Sequence, residues 1–139
     1  MWIYKGEVFT EDQIGENYGF VYIITHVPSG KKYIGRKFFT SAGYKVVKGK
    51  RKKIRKPSDW KTYYGSSPAL QAAIKESGKE NFNREIVMLC PNISSCSYYE
   101  SKLIFETDAI LSDNYFNDWI SCKISSMHVN AIKKVKKVG

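Results

Sequence analysis

Three kinds of side chain in this sequence could act on a charged substrate. The first is a pair of tyrosines, Tyr22 and Tyr33, eleven residues apart on either side of Pro28-Ser29-Gly30. On the two strands that such a turn joins, side chains alternate in direction. Both phenols can therefore project from one sheet face towards a common point. Two amphipathic tyrosines half-buried on a sheet would read the same way in isolation. The second is Glu100. With 3.6 residues per helical turn, Tyr99, Leu103, Ile104, Ile110 and Leu111 gather on one face, and Glu100 falls among them near Thr107. Glu106 and Asp108 lie at the margin of that face or beyond it. A carboxylate on a core-facing stripe is costly unless it is paired, hydrogen-bonded or bound to a cation. A salt bridge to a nearby Arg or Lys would satisfy it. A divalent cation presented to a phosphodiester would do so too.

The third kind is cationic. The chain carries a formal net charge of +10, which favours a polyanionic partner. Residues 45–56, KVVKGKRKKIRK, hold eight basic residues in twelve and no acid, and the terminal KKVKKVG adds four lysines. Phe38, Phe39, Tyr44, Trp60, Tyr63 and Tyr64 flank the run. Aromatic rings beside phosphate-binding lysines suit the bases and sugars of a nucleic acid. The plain alternative is a solvated loop.

Other chemistries are disfavoured. Cys90, Cys96 and Cys122 lack CxxC spacing, and His26 and His128 are the only histidines, so a structural zinc site is not expected. The thiols read as reduced, with Cys90 in the core. No apolar run approaches the roughly 20 residues of a membrane span. The start MWIYKGEVFTEDQ has neither the basic nor the apolar region of a signal peptide, so a cytoplasmic protein without membrane contact is expected.

These groups must be positioned by a small fold. At 139 residues the chain reads as one domain, 1–139, with a core over about 19–120, an insert over about 41–58 and a basic tail over about 125–139. Residues 2–9 read as a short strand or arm. FVYIIT (20–25) and KYIGRKFF (32–39) read as an antiparallel hairpin. The lysine run, with Gly43 and Gly49, is an exposed loop or ribbon closed by Pro57-Ser58-Asp59. A helix follows, with Ser67 as N-cap, Pro68 in the first turn, Leu70, Ala73 and Ile74 as its apolar stripe and Gly78 as its stop. REIVMLC (84–90) is a buried strand ended by Pro91. Ser97 can cap a second helix running to about Leu111, which Asp113-Asn114 breaks; residues 115–124 are mixed. The order β-β-α-β-α defines an α+β domain with a three-stranded antiparallel core sheet and a basic insert after the second strand.

With these elements in order, the chain resembles the GIY-YIG nuclease superfamily. Phe20-Val21-Tyr22 stands where the family has Gly-Ile-Tyr, and Tyr33-Ile34-Gly35 is intact. SSPALQAAIKESGKENFNREIV resembles the family's helix, turn and third strand. Glu100 sits where its metal-binding glutamate would lie, and Asn117, in DNYFN, matches its following asparagine. The resemblance spans about 19–120. It is nearest to small phage-encoded nucleases, including free-standing homing endonucleases, in YIGxK, the lysine-rich insert and DWKTYYGSS.

The resemblance implies a metal-dependent endonuclease acting on double-stranded DNA. Glu100 would hold one Mg²⁺ or Mn²⁺. Tyr22 would activate or orient the attacking water, directly or through Tyr33, and Asn117 would orient the site by hydrogen bonds. Gly35 would leave room for a close approach by backbone or substrate. Lys48, Lys50, Arg51, Lys52, Lys53, Arg55, Trp60, Lys61 and Tyr63 would contact DNA. The family's catalytic arginine lies several residues after YIG, where RKFFTSAGYKVV has none. Arg36 is the first candidate, although a regular strand turns it away from Tyr33. Arg55 is second, with Arg51 also available, and DWKTYY aligns Asp59 where the arginine is expected, with Tyr63 one turn on. Target recognition would come from the insert and tail, a homodimer on DNA, or a partner. A binding module that has lost catalysis, or an RNA-associated basic protein, are the other readings.

Overall fold

The structure, a computed structural model, describes residues 1–120. The basic tail and residues 121–124 lie outside the described residues. The fold is α+β. Its strands are β1 (Trp2–Tyr4), β2 (Glu7–Val8), β3 (Gly19–His26), β4 (Lys32–Phe38), β5 (Thr40–Val47), β6 (Lys50–Pro57) and β7 (Phe82–Cys90). Its helices are α1 (Pro68–Ser77) and α2 (Ile93–Glu106). The expected antiparallel trio is present as β7-β3-β4, but it forms one end of a larger mixed sheet ordered β2-β1-β7-β3-β4. β1 runs parallel to β7, pairing Trp2 with Arg84 and Tyr4 with Ile86. The amino-terminal segment is therefore part of the sheet, and the sheet has five strands rather than three.

β3 is central and is buried along most of its length, as its apolar sequence requires. One sheet face carries Trp2, Phe20, Tyr22 and Ile86 into an aromatic core closed by Phe39, Trp60, Leu70 and Ile74. The other face carries Val21, Ile34 and Cys90 against Cys96 and Ile104 of α2. Cys90 and Cys96 are free and buried, Cys90 in the core as expected. Among the described residues no helix is long and apolar enough to cross a membrane.

α1 follows its local signals. Ser67 Oγ accepts a hydrogen bond from Leu70 N, Pro68 opens the helix, and Gly78 closes it. α2 starts earlier than expected. Asn92, not Ser97, is its N-cap, with Oδ1 accepting from Ser95 N at 2.8 Å. Ser97 sits inside the helix and its hydroxyl accepts from Arg36 instead. α2 also stops earlier, at Glu106, because Asp108 takes a left-handed conformation at φ 51°. Residues 109–111 form a separate 3₁₀ turn, so Leu111 is 83% exposed rather than on the core stripe.

The insert is a two-stranded ribbon, β5 paired antiparallel with β6 from Thr40↔Pro57 to Val47↔Lys50. Its tip is Lys48-Gly49, with φ of 51° and 74°; the two-residue turn that matches the twist of a hairpin demands positive φ at both positions. At its base Ser58 N donates to Phe39 O at 2.9 Å, and Ser58 Oγ donates to Phe38 O at 2.6 Å.

Along the outer side of β4 runs a pseudo-strand from residues 114–117. Lys32 N donates to Asn114 O at 2.9 Å and Phe116 N donates to Lys32 O at 2.7 Å. The Asn117 amide continues the pattern, accepting from Ile34 N at 2.9 Å and donating to Ile34 O at 2.8 Å.

Candidate active site

A cavity of about 180 Å³ opens beside β4, and Tyr22, Tyr33, Arg36, Tyr63, Glu100 and Asn117 all line it. The β3–β4 register explains how two sheet faces serve one cavity. Tyr22 lies opposite Gly35 and Val21 opposite Arg36, so the tyrosines and Arg36 leave the sheet on opposite sides. β4 is the outermost strand of the ladder, so long side chains from both faces can curl around it. Arg36 thus reaches the site despite pointing away from Tyr33.

Tyr22 is 1% exposed, and its ring lies over Gly35. A Cβ at Gly35 would collide with the Tyr22 phenol. The space that Gly35 leaves is therefore filled by Tyr22, not by an approaching backbone or substrate. The Tyr22 ring stands 6.2 Å from that of Tyr33 and 6.1 Å, edge-on, from that of Tyr63, and its hydroxyl shares a hydrogen bond with Tyr63. Burial holds the Tyr22 phenol well above its ordinary pKa, and the neighbouring phenols and Glu100 push it the same way. Tyr33, half-buried, is raised by burial and by Glu100, while its hydrogen bond with Ser66 acts in the opposite sense.

Glu100 enters from α2 with its side chain 18% exposed. Burial raises its pKa and the Arg36 guanidinium pulls it down. The pair is 3.7 Å apart, beyond a true hydrogen bond, so the carboxylate has charge compensation without being tied up. Of the two sequence readings of Glu100, the salt bridge is present, to Arg36; the carboxylate also lines the cavity.

The other expected contacts divide. Arg51 lies over Tyr44 at 4.3 Å, towards the ribbon tip. Arg55 donates to Thr40 Oγ1 and O and covers Tyr18. Neither lines the cavity with the tyrosines. Lys48, Lys50, Lys52 and Lys53 are exposed along the ribbon. Trp60 is 4% exposed and belongs to the aromatic core, so its ring has no free face for a base. Lys61 is paired with Glu11 at 2.9 Å. Tyr63 faces the cavity rather than the outer surface.

Two residues escaped the sequence reading. Lys37 Nζ sits 4.0 Å from the centre of the Tyr63 ring and 2.7 Å from Asp59 Oδ1. Where DWKTYY aligns Asp59 with an expected arginine, the nearby cation is thus Lys37, supplied by β4. Arg84 is 5% exposed, sandwiched between Trp2 at 4.6 Å and Tyr64 at 4.2 Å. Its Nη1 donates to the carbonyls of Lys61 and Tyr63 at 3.1 and 2.8 Å and so fixes the loop that delivers Tyr63. The one available signal was a basic residue within a buried strand.

Paired tyrosines on a hairpin, a glutamate on the helix behind it and an asparagine on the closing segment are the arrangement of a GIY-YIG endonuclease domain. The chain belongs to that family: the family model described as "Putative endonuclease segE, GIY-YIG domain" matches residues 2–120. Among curated proteins, "Putative endonuclease segE" of Enterobacteria phage T4 is 32% identical over 100 residues. That match takes in 72% of this chain and 40% of the relative, so the chain spans less than half the length of the phage protein. No solved structure matches.

Proposed function

We propose that the protein is a metal-dependent DNA endonuclease, phage-encoded, acting on duplex DNA in the host cytoplasm, with residues 1–139 forming one nuclease domain. The observation that carries this reading is the convergence of Tyr22, Tyr33, Arg36, Glu100 and Asn117 on one cavity. Their chemistry suits a divalent cation. Glu100 is mostly buried yet faces open space, its one ion-pair partner among the described residues is 3.7 Å away, and Asp118 lines the same cavity. Magnesium is commonly held by one or two carboxylates, water and substrate phosphate, so a larger cluster is not required. When bound, Mg²⁺ or Mn²⁺ would polarise the scissile phosphate and ease departure of the 3′ oxygen.

The chain's own groups then have distinct tasks. Tyr22 orients the attacking water through its hydroxyl, directly or through Tyr33, and Tyr63 fixes that hydroxyl. At pH 7 the phenol is neutral, because burial opposes its ionisation. Only added positive charge would make it a base. Arg36 offers a guanidinium to the extra negative charge of the transition state. Asn117 holds the outer edge of β4 in place, and with it Tyr33 and Arg36. The ribbon cations grip the DNA backbone. A homodimer would allow both strands to be cut, and homing is one biological use of such an enzyme.

Nicking of supercoiled plasmid in Mg²⁺, by the parent but not by Glu100→Gln, is the expected result. A second reading, a nucleic-acid-binding module, is favoured by one observation: Lys37, the cation beside Tyr63, is neutralised by Asp59. Tight DNA binding with no nicking by the parent in Mg²⁺ or Mn²⁺ would establish it instead.

A further inference from the structure

The register of the ribbon distributes its cations in a way that affinity alone does not require. Successive side chains point to opposite faces. Arg51, Lys53 and Arg55 share one face with Tyr44 and Val46, while Lys45, Lys50, Lys52 and Lys56 share the other with Val47. Both faces are thus basic. Among the described residues none of these seven cations belongs to an ion pair. Lys45 and Lys52 lie directly opposite each other, and like charges in that position destabilise a strand pair. A ribbon resting only its Arg51 face on DNA would leave the repulsion between Lys45 and Lys52 uncompensated, and one resting only the other face would leave Arg51, Lys53 and Arg55 without a polyanion.

Two phosphate walls, one on each side, would compensate both faces. The major groove of B-DNA, about 12 Å wide, admits a two-stranded ribbon, whereas the minor groove, about 6 Å wide, is too narrow. Eight-residue strands reach roughly 25 Å at about 3.4 Å per residue. The groove is about 8.5 Å deep, so only the distal part needs to enter. That part also carries apolar side chains in water: Tyr44 is 60% exposed, Val46 72% and Val47 40%. Apolar groups at a groove floor meet thymine methyls.

We propose that residues 44–53 enter the major groove of duplex DNA with one ribbon face turned to each phosphate wall, so that Val46 and Val47 at the tip reach base edges. This rests on duplex DNA being the substrate, and the test is a binding measurement without divalent metal, independent of whether the protein cleaves. Two charge-matched variants are compared, Arg51→Gln with Lys53→Gln on one face and Lys45→Gln with Lys52→Gln on the other. Each phosphate contact contributes about −0.9 to the slope of log affinity against log salt. Each pair should flatten the slope by about 1.8 units, and the four changes together by about 3.6. A slope that moves for one pair and not the other means one face lies on DNA, and overturns the proposal. No movement for either pair overturns it as well. In competition, the major-groove ligand methyl green should displace the protein from duplex DNA and the minor-groove ligand distamycin should not; the reverse pattern, or displacement by neither, excludes major-groove entry. Failure of the nuclease reading would appear only in the nicking assay and would leave these results intact.

Discussion

In the β4 cavity Tyr22, Tyr33 and Glu100 are each held against a neighbouring side chain. Tyr22 is bonded to Tyr63, Tyr33 to Ser66, and Glu100 faces Arg36. On the ribbon the lysines are exposed to water without ion-pair partners among the described residues, and Lys45 lies opposite Lys52. The cavity resembles a domain interior, where burial shifts pKa values and fixes geometry to fractions of an ångström. The ribbon has no interior of its own; its order comes from its backbone ladder and its turn. Chemistry on a phosphodiester needs the first environment, because reacting groups must be placed and partly desolvated. Grip on a polyanion needs the second, because each cation must be free to replace a counterion.

Changing one region should leave the other's property intact. The largest effect is expected for Glu100→Gln, which should lower metal-dependent cleavage by about a thousandfold, the several kcal/mol of charge stabilisation lost with the metal. DNA affinity and its salt slope should not change. Cleavage within about tenfold of the parent would remove Glu100 from the mechanism. Tyr22→Phe deletes one hydroxyl and should slow cleavage by about a hundredfold, within the range for a positioned proton-handling group. If the ring only fills the core, rate and melting temperature will both stay near the parent's.

The reciprocal experiment alters the ribbon. Replacing Lys50, Arg51, Lys52 and Lys53 with Gln should flatten the salt slope by about two to four units. Affinity should fall on all duplexes alike, and the single-turnover rate at saturating protein should hold. A fall in that saturated rate would show that the ribbon does more than bind. The smallest effect concerns pH. Burial raises the pKa of Glu100 in the folded state above its ordinary 4.5. The folded chain therefore binds this proton more tightly than the unfolded chain does. Its stabilising contribution is full below the unfolded pKa and is lost as pH rises through the folded pKa. Without metal, Glu100→Gln should thus melt at or above the parent's temperature at pH 7, an advantage that shrinks towards pH 4. A lower melting temperature at pH 7 would mean that the Arg36 contact outweighs the desolvation.

Locally encoded features were legible in the sequence. The hairpin turn, the Ser67-Pro68 start and Gly78 stop of α1, and β7 are each written in residues adjacent to the element they define. Glu100 was legible for a different reason, since a carboxylate on an apolar stripe is conspicuous wherever it occurs. Non-local pairings were not legible. β1 joins β7 across about eighty residues, and its three residues carry no periodicity that could be read. The course of the loop over 58–67 was not legible for a related reason. Its course is set by Arg84, whose guanidinium collects two of the loop's carbonyls under the rings of Trp2 and Tyr64. In that arrangement Trp60 is buried in the aromatic core and Tyr63 lines the cavity. The α2 cap was placed at Ser97 because its hydroxyl can cap a helix, but Asn92 Oδ1 takes that role towards Ser95 N while Ser97 accepts from Arg36 on the facing strand.

The side-chain amide of Asn117 has a consequence for self-association. β4 is an end strand, and unpaired N–H and C=O groups on an end strand are a template on which another chain can add a strand. Here Lys32 and Ile34, whose backbone groups face outward, are already saturated by residues 114–117, the last of these through a side chain imitating a peptide. A continuous sheet across two copies cannot form at this edge without first displacing that segment and dismantling the cavity wall. At the other end, β2 is two residues long and carries Glu7, a poor foundation for strand addition. Pairing of two copies through either end of the five-stranded sheet is therefore disfavoured, which leaves the cavity wall beside the β4 edge intact in each. Asn117→Ala would uncover that edge, and the protein's tendency to aggregate on concentration should rise before its melting temperature falls.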